Sequence, residues 1–287
     1  MPMINYFQAI ILGALQGISE LFPVSSLGHS VIFPRLFGWH INQSDPSFLT
    51  FLVATHFATA IVLFLFFWKD WWAILKGLGR SFQARQIDEH DTYAKLGWLL
   101  IVGTIPTGLL GILLEQKLKS LFASPQIAAG FLFLNGFILL GGEMLRRRKK
   151  QKEMMGNTDI RIARLTWKQS AIVGIGQAIA LLPGFSRTGA TLTGSLLVGL
   201  SHEDALRFSF LLATPIIGAA ALLKLPELAT APSSSIISVL LGALAAGTFA
   251  YLAVKFLTKY FQTNTLTPFG IYCLLMGAIT SIVFLFR

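Results

Sequence analysis

Six stretches of this 287-residue chain are apolar for long enough to cross a bilayer: 48–68, 93–114, 126–145, 208–227, 236–256 and 268–286. A hydrocarbon core about 30 Å thick needs about 20 residues of helix. Inside it every backbone N–H and C=O must be paired within the segment, so these runs are expected to be helices. Composition agrees: 54% of residues are hydrophobic and 13% charged, against about 25% charged in soluble domains. The chain is read as an all-α integral membrane protein. No Lys or Arg precedes Arg35 and no small-residue cleavage site is evident, so the first apolar segment is expected to remain in the mature protein. The single cysteine, Cys273, excludes a disulfide within the chain and CxxC metal chemistry.

Two further regions are apolar but interrupted. Residues 4–34 are broken by "ELFPVSSLGH" and residues 170–200 by "LLPGFSRTGAT". The flanking apolar pieces, about 13 to 17 residues each, are short for a span. They suit re-entrant helix pairs, because irregular backbone at membrane depth is tolerated only inside protein or beside a wet cavity.

Of the 23 basic residues, nine lie in 146–168 and five in 69–95. Short basic loops beside spans mark the cytoplasmic side, so the net charge of +10 is read as topology, with contact to membrane lipids, and nucleic acid is not expected. Two spans separate the two basic loops, which puts both in the cytoplasm. The first break would then enter from outside and the second from the cytoplasm. "FLVATHFATA" (51–60) echoes "FLLATPIIGA" (210–219), and "LQGISELFPVSS" (15–26) echoes "GQAIALLPGFS" (176–186). Each half would be one broken pair plus three spans, and three is odd, so the halves have opposite orientation. An inverted-topology repeat of this kind places its site where the broken helices meet. The expected division is 1–145, a basic loop 146–169, and 170–287 within a single membrane domain.

Glu20 is the only acidic residue before Asp45, deep in an apolar stretch where a lone carboxylate is costly. Arg187 is the matching oddity of the second break. Where the breaks meet, the two can pair or surround a polar ligand. Gln16 and Glu20, four apart, share a helix face. Pro23 ends that helix, and Ser25 and Ser26 follow in the break. Ser26 and His29, three apart, are expected on one side, where His29 can serve as base for a hydroxyl nucleophile with Glu20 orienting the imidazole; His29 as the nucleophile itself, or a water it activates, are the alternatives the residues leave open. In "PGFSRTGATLTG" a Gly/Ser turn opens a helix, which favours phosphate. Gly184, Ser186, Arg187 and Thr188 are candidates to hold it, as is Gln177 just upstream. His56 lies within the first span and could face the site, but is read first as a buried, satisfied histidine; Glu143 is read as an interfacial partner of Arg146 and Arg147, and His40, His90 and His202 as loop residues. Trp68, Trp71 and Trp72 read as an aromatic belt.

The motifs "QGISELFPVSSLGH" (16–29) and "PGFSRTGAT" (183–191) resemble those of the undecaprenyl-diphosphate phosphatases, also called bacitracin-resistance proteins, and the likeness covers essentially the whole chain. The resemblance implies six spans, two re-entrant pairs and an inverted repeat. It implies removal of the terminal phosphate from undecaprenyl diphosphate, the lipid carrier of cell-wall synthesis, at a site open to the periplasm in the bacterial inner membrane. Glu20, Ser26, His29 and Arg187 match the family's essential positions, Ser186 and Thr188 lie beside the phosphate, and Mg or Ca is the implied cofactor, with Glu20 as a ligand; Ser25 and Gln16 are further substrate-binding candidates. A homodimer is a candidate assembly. Gln16 stands where many members have Glu, and Leu27 where a small hydroxyl residue is common. The residues alone leave a lipid flippase or secondary transporter open, since broken helices with midplane charges also serve transport.

Overall fold

The computed structural model describes residues 4–43, 45–122, 124–148, 157–229 and 236–286. Its helices are α1 (Tyr6–Leu21), α2 (Ser26–Leu36), α3 (Pro46–Phe66), α4 (Trp68–Ala84), α5 (Thr92–Phe122), α6 (Pro125–Arg148), α7 (Thr158–Ala163), α8 (Trp167–Ala178), α9 (Arg187–Leu197), α10 (His202–Ala229), α11 (Ile236–Tyr260) and α12 (Thr267–Leu285), with one 3-10 turn at Ile179–Leu181. Six of them, α3, α5, α6, α10, α11 and α12, contain stretches long and apolar enough to span a bilayer. These are the six runs expected from the sequence, with ends shifted by a few residues. Residues 149–156 of the basic segment lie outside the described residues.

Both interrupted regions fold as two short helices around a break. α1 has 16 residues and α2 has 11; α8 has 12 and α9 has 11. At 1.5 Å per residue, none reaches the thickness of a hydrocarbon core. The local signals recur. Asn5 and Gln8 form a capping box on α1, and Thr166 and Gln169 form one on α8, each satisfying orphan N–H groups at the helix start. Ser25 accepts from the Gly28 N–H at the start of α2, and Ser186 accepts from the Gly189 N–H at the start of α9.

Small residues decide how these helices pack. In lipid, helix association relies on close backbone approach. A Cβ added at Gly13 or Gly17 of α1 would lie 2.2 Å from the carbonyl oxygen of Gly242 or Ala246 on α11. One added at Gly174 of α8 would lie 2.2 Å from the Gly103 oxygen on α5. Each first short helix thus lies backbone to backbone on a span from the other half of the chain. At the centre α3 packs on α10, with Phe51 and Phe210 of the two echoing strings both buried.

Residues 69–95, expected to be a loop, contain α4. This helix follows α3 after a single residue, Phe67, and is tied to α5 by Arg80–Asp91 and by Trp98 Nε1 donating to Ser81 Oγ at 2.9 Å. Ile74 and Gly77 face inward, while Trp68, Trp72, Leu75 and Phe82 are exposed along one stripe. His202 is likewise more than a loop residue. It opens α10, is buried, and its Nε2 is 2.7 Å from Glu143 Oε2. Glu143 therefore has a histidine partner beyond Arg146 and Arg147. At the same end of the bundle Arg207 binds Asp159 (2.7 Å) and Asp70 (2.8 Å), and Arg161 binds Asp204 (2.6 Å), joining α4, α7 and α10.

Candidate active site

The two breaks touch. α1 stops where Pro23 has no N–H to offer and Phe22 turns to extended backbone. Ser25 holds φ +71° and Gly184 holds φ +107°, left-handed conformations that Gly adopts freely and Ser rarely. A Cβ at Gly184 would also meet the Ala128 oxygen at 2.3 Å, so this turn needs glycine for both conformation and space. Gly28 packs on Gly184 across the junction. Thr188 Oγ1 donates to the Glu20 carbonyl at 3.0 Å, and Ser186 Oγ donates to the Phe22 carbonyl at 3.4 Å. Asn135 of α6 stitches both breaks. Its Nδ2 donates to the Pro23 carbonyl and its Oδ1 accepts from the Ser186 N–H, each at 3.1 Å.

Glu20 is the centre. Its side chain is 3% exposed, and each oxygen faces donors from several elements. Arg187 of α9 donates to Oε1. Oε2 accepts from Ser26 Oγ at the start of α2 and from Gln16 Nε2 at 2.9 Å, one turn back on α1. His56 Nε2, on α3, stands 3.2 Å from the same oxygen. Because the carboxylate only accepts, the Gln16 amide must turn its nitrogen toward Glu20. That leaves Gln16 Oε1 buried and without a partner. Arg187 and His56, at 20% and 25% side-chain exposure, form the more open edge of this cluster.

His29 departs from the expected pairing with Ser26. Its Nδ1 lies 2.6 Å from the Ser25 carbonyl and its Nε2 lies 2.7 Å from Tyr272 Oη on α12; Ser26 goes to Glu20 instead. Helical side chains lean toward the N-terminus, so Ser26, first in α2, leans into the break, while His29 folds back over its own first turn. A carbonyl can only accept, so Nδ1 carries the hydrogen in the neutral ring and Nε2 presents a lone pair toward Tyr272.

Gln16, Glu20, Ser25, Ser26, His29, Gly184, Ser186, Arg187 and Thr188 therefore meet at or beside the junction. Gln177 does not join them. Its Nε2 donates to Thr107 Oγ1 at 3.1 Å, and Thr107 donates to the Gly174 carbonyl at 2.9 Å, so it supports the α5–α8 contact. Two residues of the junction escaped sequence reasoning, Asn135, hidden in an apolar run, and Tyr272; a third, His56, could be placed facing the site but is read first there as a satisfied core histidine. For His56 and Asn135 the available signal was a polar side chain in mid-span, which marks function or pairing in a membrane protein.

A family model described as Bacitracin resistance protein BacA matches residues 9–279. The chain belongs to this family. The match spans both breaks, five candidate spans and most of the sixth, so the Glu20–Arg187 junction lies inside the family's own domain. Curated relatives cover nearly the full length. A Mycolicibacterium paratuberculosis protein named undecaprenyl-diphosphatase is 46% identical over 96% of this chain and 95% of its own. One from Acidiphilium cryptum with the same name is 45% identical over 96% of each chain. Undecaprenyl-diphosphatase 2 of Frankia alni is 41% identical over 99% of each chain.

Proposed function

We propose that this BacA-family protein is a membrane phosphatase that hydrolyses undecaprenyl diphosphate to the monophosphate and inorganic phosphate, returning the lipid carrier to cell-wall synthesis and conferring bacitracin resistance. The observation that carries the reading is the Ser26 hydroxyl bonded to a buried carboxylate that is itself paired with Arg187. This is a nucleophile, a base and a phosphate-binding cation in one cluster.

The two short-helix pairs are read as re-entrant, and the halves as an inverted-topology repeat. Support comes from the paired capping boxes, the paired Ser caps, and the reciprocal packing of α1 on α11 and α8 on α5. The concentration of basic residues in 69–95 and 146–168 supports a cytoplasmic location for that end. The junction then opens toward the outer face of the bacterial plasma membrane, with the prenyl tail lying in the bilayer.

In the reaction, Arg187 keeps one amino group on Glu20 and turns its remaining donors to the terminal phosphate, a fork suited to phosphate oxygens. The first-turn N–H groups of α9, behind Ser186 and Thr188, add positive potential. Ser26 passes its proton to Glu20 Oε2, the oxygen it already faces, and Oγ bonds to the terminal phosphorus. The bond from that phosphorus to the bridging oxygen breaks and the lipid monophosphate leaves. Water then attacks the phosphoserine. His29 Nε2, reached through or in place of Tyr272, takes the water proton, and the serine oxygen recovers its hydrogen from Glu20.

A magnesium or calcium ion is the cofactor we propose. The residues fit one, because the orphaned Gln16 Oε1 beside the Glu20 carboxylate offers the oxygen ligands such hard cations take. Glu20 and Gln16 would hold it, and when bound it supplies charge neutralisation to the diphosphate. No group of three His, Cys, Asp or Glu side chains gathers among the described residues, so its other ligands would be substrate and water oxygens.

The test is incubation of the purified protein in detergent with a polyprenyl diphosphate. Inorganic phosphate and lipid monophosphate should appear together, and chelator should stop them. Movement of the lipid across vesicles without any phosphate release would replace this reading with the transporter one.

A further inference from the structure

His56 plays no part in the chemistry above, yet it touches the base. We propose that His56 is a positioning residue of the phosphatase site, holding the Glu20 carboxylate in the orientation from which it receives the Ser26 proton. The inference rests on the proposed hydrolysis.

The ring is fixed at both ends. Nδ1 lies 2.7 Å from the Leu52 carbonyl one turn back on α3, and Nε2 lies 3.2 Å from Glu20 Oε2. The Leu52 carbonyl and the carboxylate are both acceptors, so the ring bridges them by donating at both nitrogens, as a protonated imidazolium does, tying α1 to α3 at the reacting oxygen. Oε2 is also the oxygen that Ser26 faces. A carboxylate gripped only by Arg187 on Oε1 and by the flexible Gln16 amide could rotate about its Cγ–Cδ bond and take Oε2 away from the hydroxyl. His56 closes the third side. The two halves differ here in a telling way. "FLVATHFATA" has His56 where "FLLATPIIGA" has Pro215, and the second break contains no acid. The histidine occurs only in the half that carries the carboxylate it contacts. Its side chain is 25% exposed, against 3% for Glu20.

The experiment uses the full-length protein in detergent and measures phosphate release across polyprenyl diphosphate concentrations for His56→Leu, His56→Gln and His56→Asn. Loss of an orienting partner of this kind costs about 10- to 100-fold. In His56→Leu that loss should fall on kcat, with KM within about threefold of wild type. His56→Gln places an amide N–H where Nε2 stood and should recover most of the loss. His56→Asn, too short to reach Glu20, should not recover it while still unfolding at the wild-type temperature, which keeps the test valid if the Leu variant misfolds. Wild-type kcat in His56→Asn, a raised KM with unchanged kcat, or a Gln variant as impaired as Asn would each overturn the proposal. A second readout is independent of turnover. In protein labelled with 15N-histidine, Glu20→Gln should shift the His56 ring signals. Unshifted signals would overturn the contact itself, whereas absence of phosphate release in wild type would overturn only the hydrolase reading.

Discussion

Arg187→Met removes the arginine paired with Glu20 and leaves a carboxylate at 3% side-chain exposure. Stripping one partner from a buried pair costs about 3–5 kcal/mol. Here Gln16, Ser26 and His56 still face Glu20, so the expected destabilisation is about 3 kcal/mol, the low end of that range. Activity should fall further than stability. An arginine that stabilises phosphoryl-transfer charge contributes about 10³-fold or more, or about 4 kcal/mol of barrier. The double variant Glu20→Gln/Arg187→Met separates the two effects. It removes both charges, and the Gln amide can still accept from Ser26, so the melting temperature in detergent should return most of the way to wild type while phosphate release stays lost. The assays are thermal unfolding and phosphate release on the same preparations. If the double variant melts no higher than Arg187→Met, the two side chains are not a coupled buried pair and the junction described here is wrong.

Gly184→Ala should destabilise by about 1–3 kcal/mol through its left-handed backbone alone, and more because the new Cβ meets the Ala128 oxygen; a melting temperature equal to wild type would contradict the close approach. Gly13→Leu and Gly174→Leu, which wedge α1 off α11 and α8 off α5, should both lower the melting temperature and yield of folded protein, and a tolerated pair would count against the reciprocal packing. Tyr272→Phe removes the hydroxyl at His29 Nε2 and should slow phosphate release by about 10²-fold without moving the melting temperature, the low end of proton-transfer contributions; an unchanged rate would take Tyr272 out of the proton path.

The spans were legible because length and composition alone define them, and the two breaks were legible because Pro, Gly and hydroxyl residues stand out against apolar flanks. The meeting of Glu20 and Arg187 followed from their cost in hydrocarbon, since each needs a partner and each was the only one in its break. α4 was missed because Lys69, Asp70, Lys76 and Arg80 read as a polar connection. Its apolar residues occupy two faces, Trp71, Ile74 and Leu78 toward α5, and Trp68, Trp72, Leu75 and Phe82 outward, which blurs a single stripe. The Ser26–His29 pairing failed for a geometric reason: a spacing of three puts side chains on one face but does not say which neighbour each reaches. The contact of His56 with Glu20, and the place of Asn135 in the site, were not legible because Glu20 is 36 residues from the first, Pro23 is 112 residues from the second, and only tertiary packing joins them.

The most direct measurement is the rate of terminal-phosphate release from a saturating polyprenyl diphosphate by wild type and Ser26→Ala, purified side by side and matched for melting temperature. Removing the attacking hydroxyl should slow release by at least about 10³-fold. A folded Ser26→Ala protein that releases phosphate at the wild-type rate would contradict a serine nucleophile activated by Glu20.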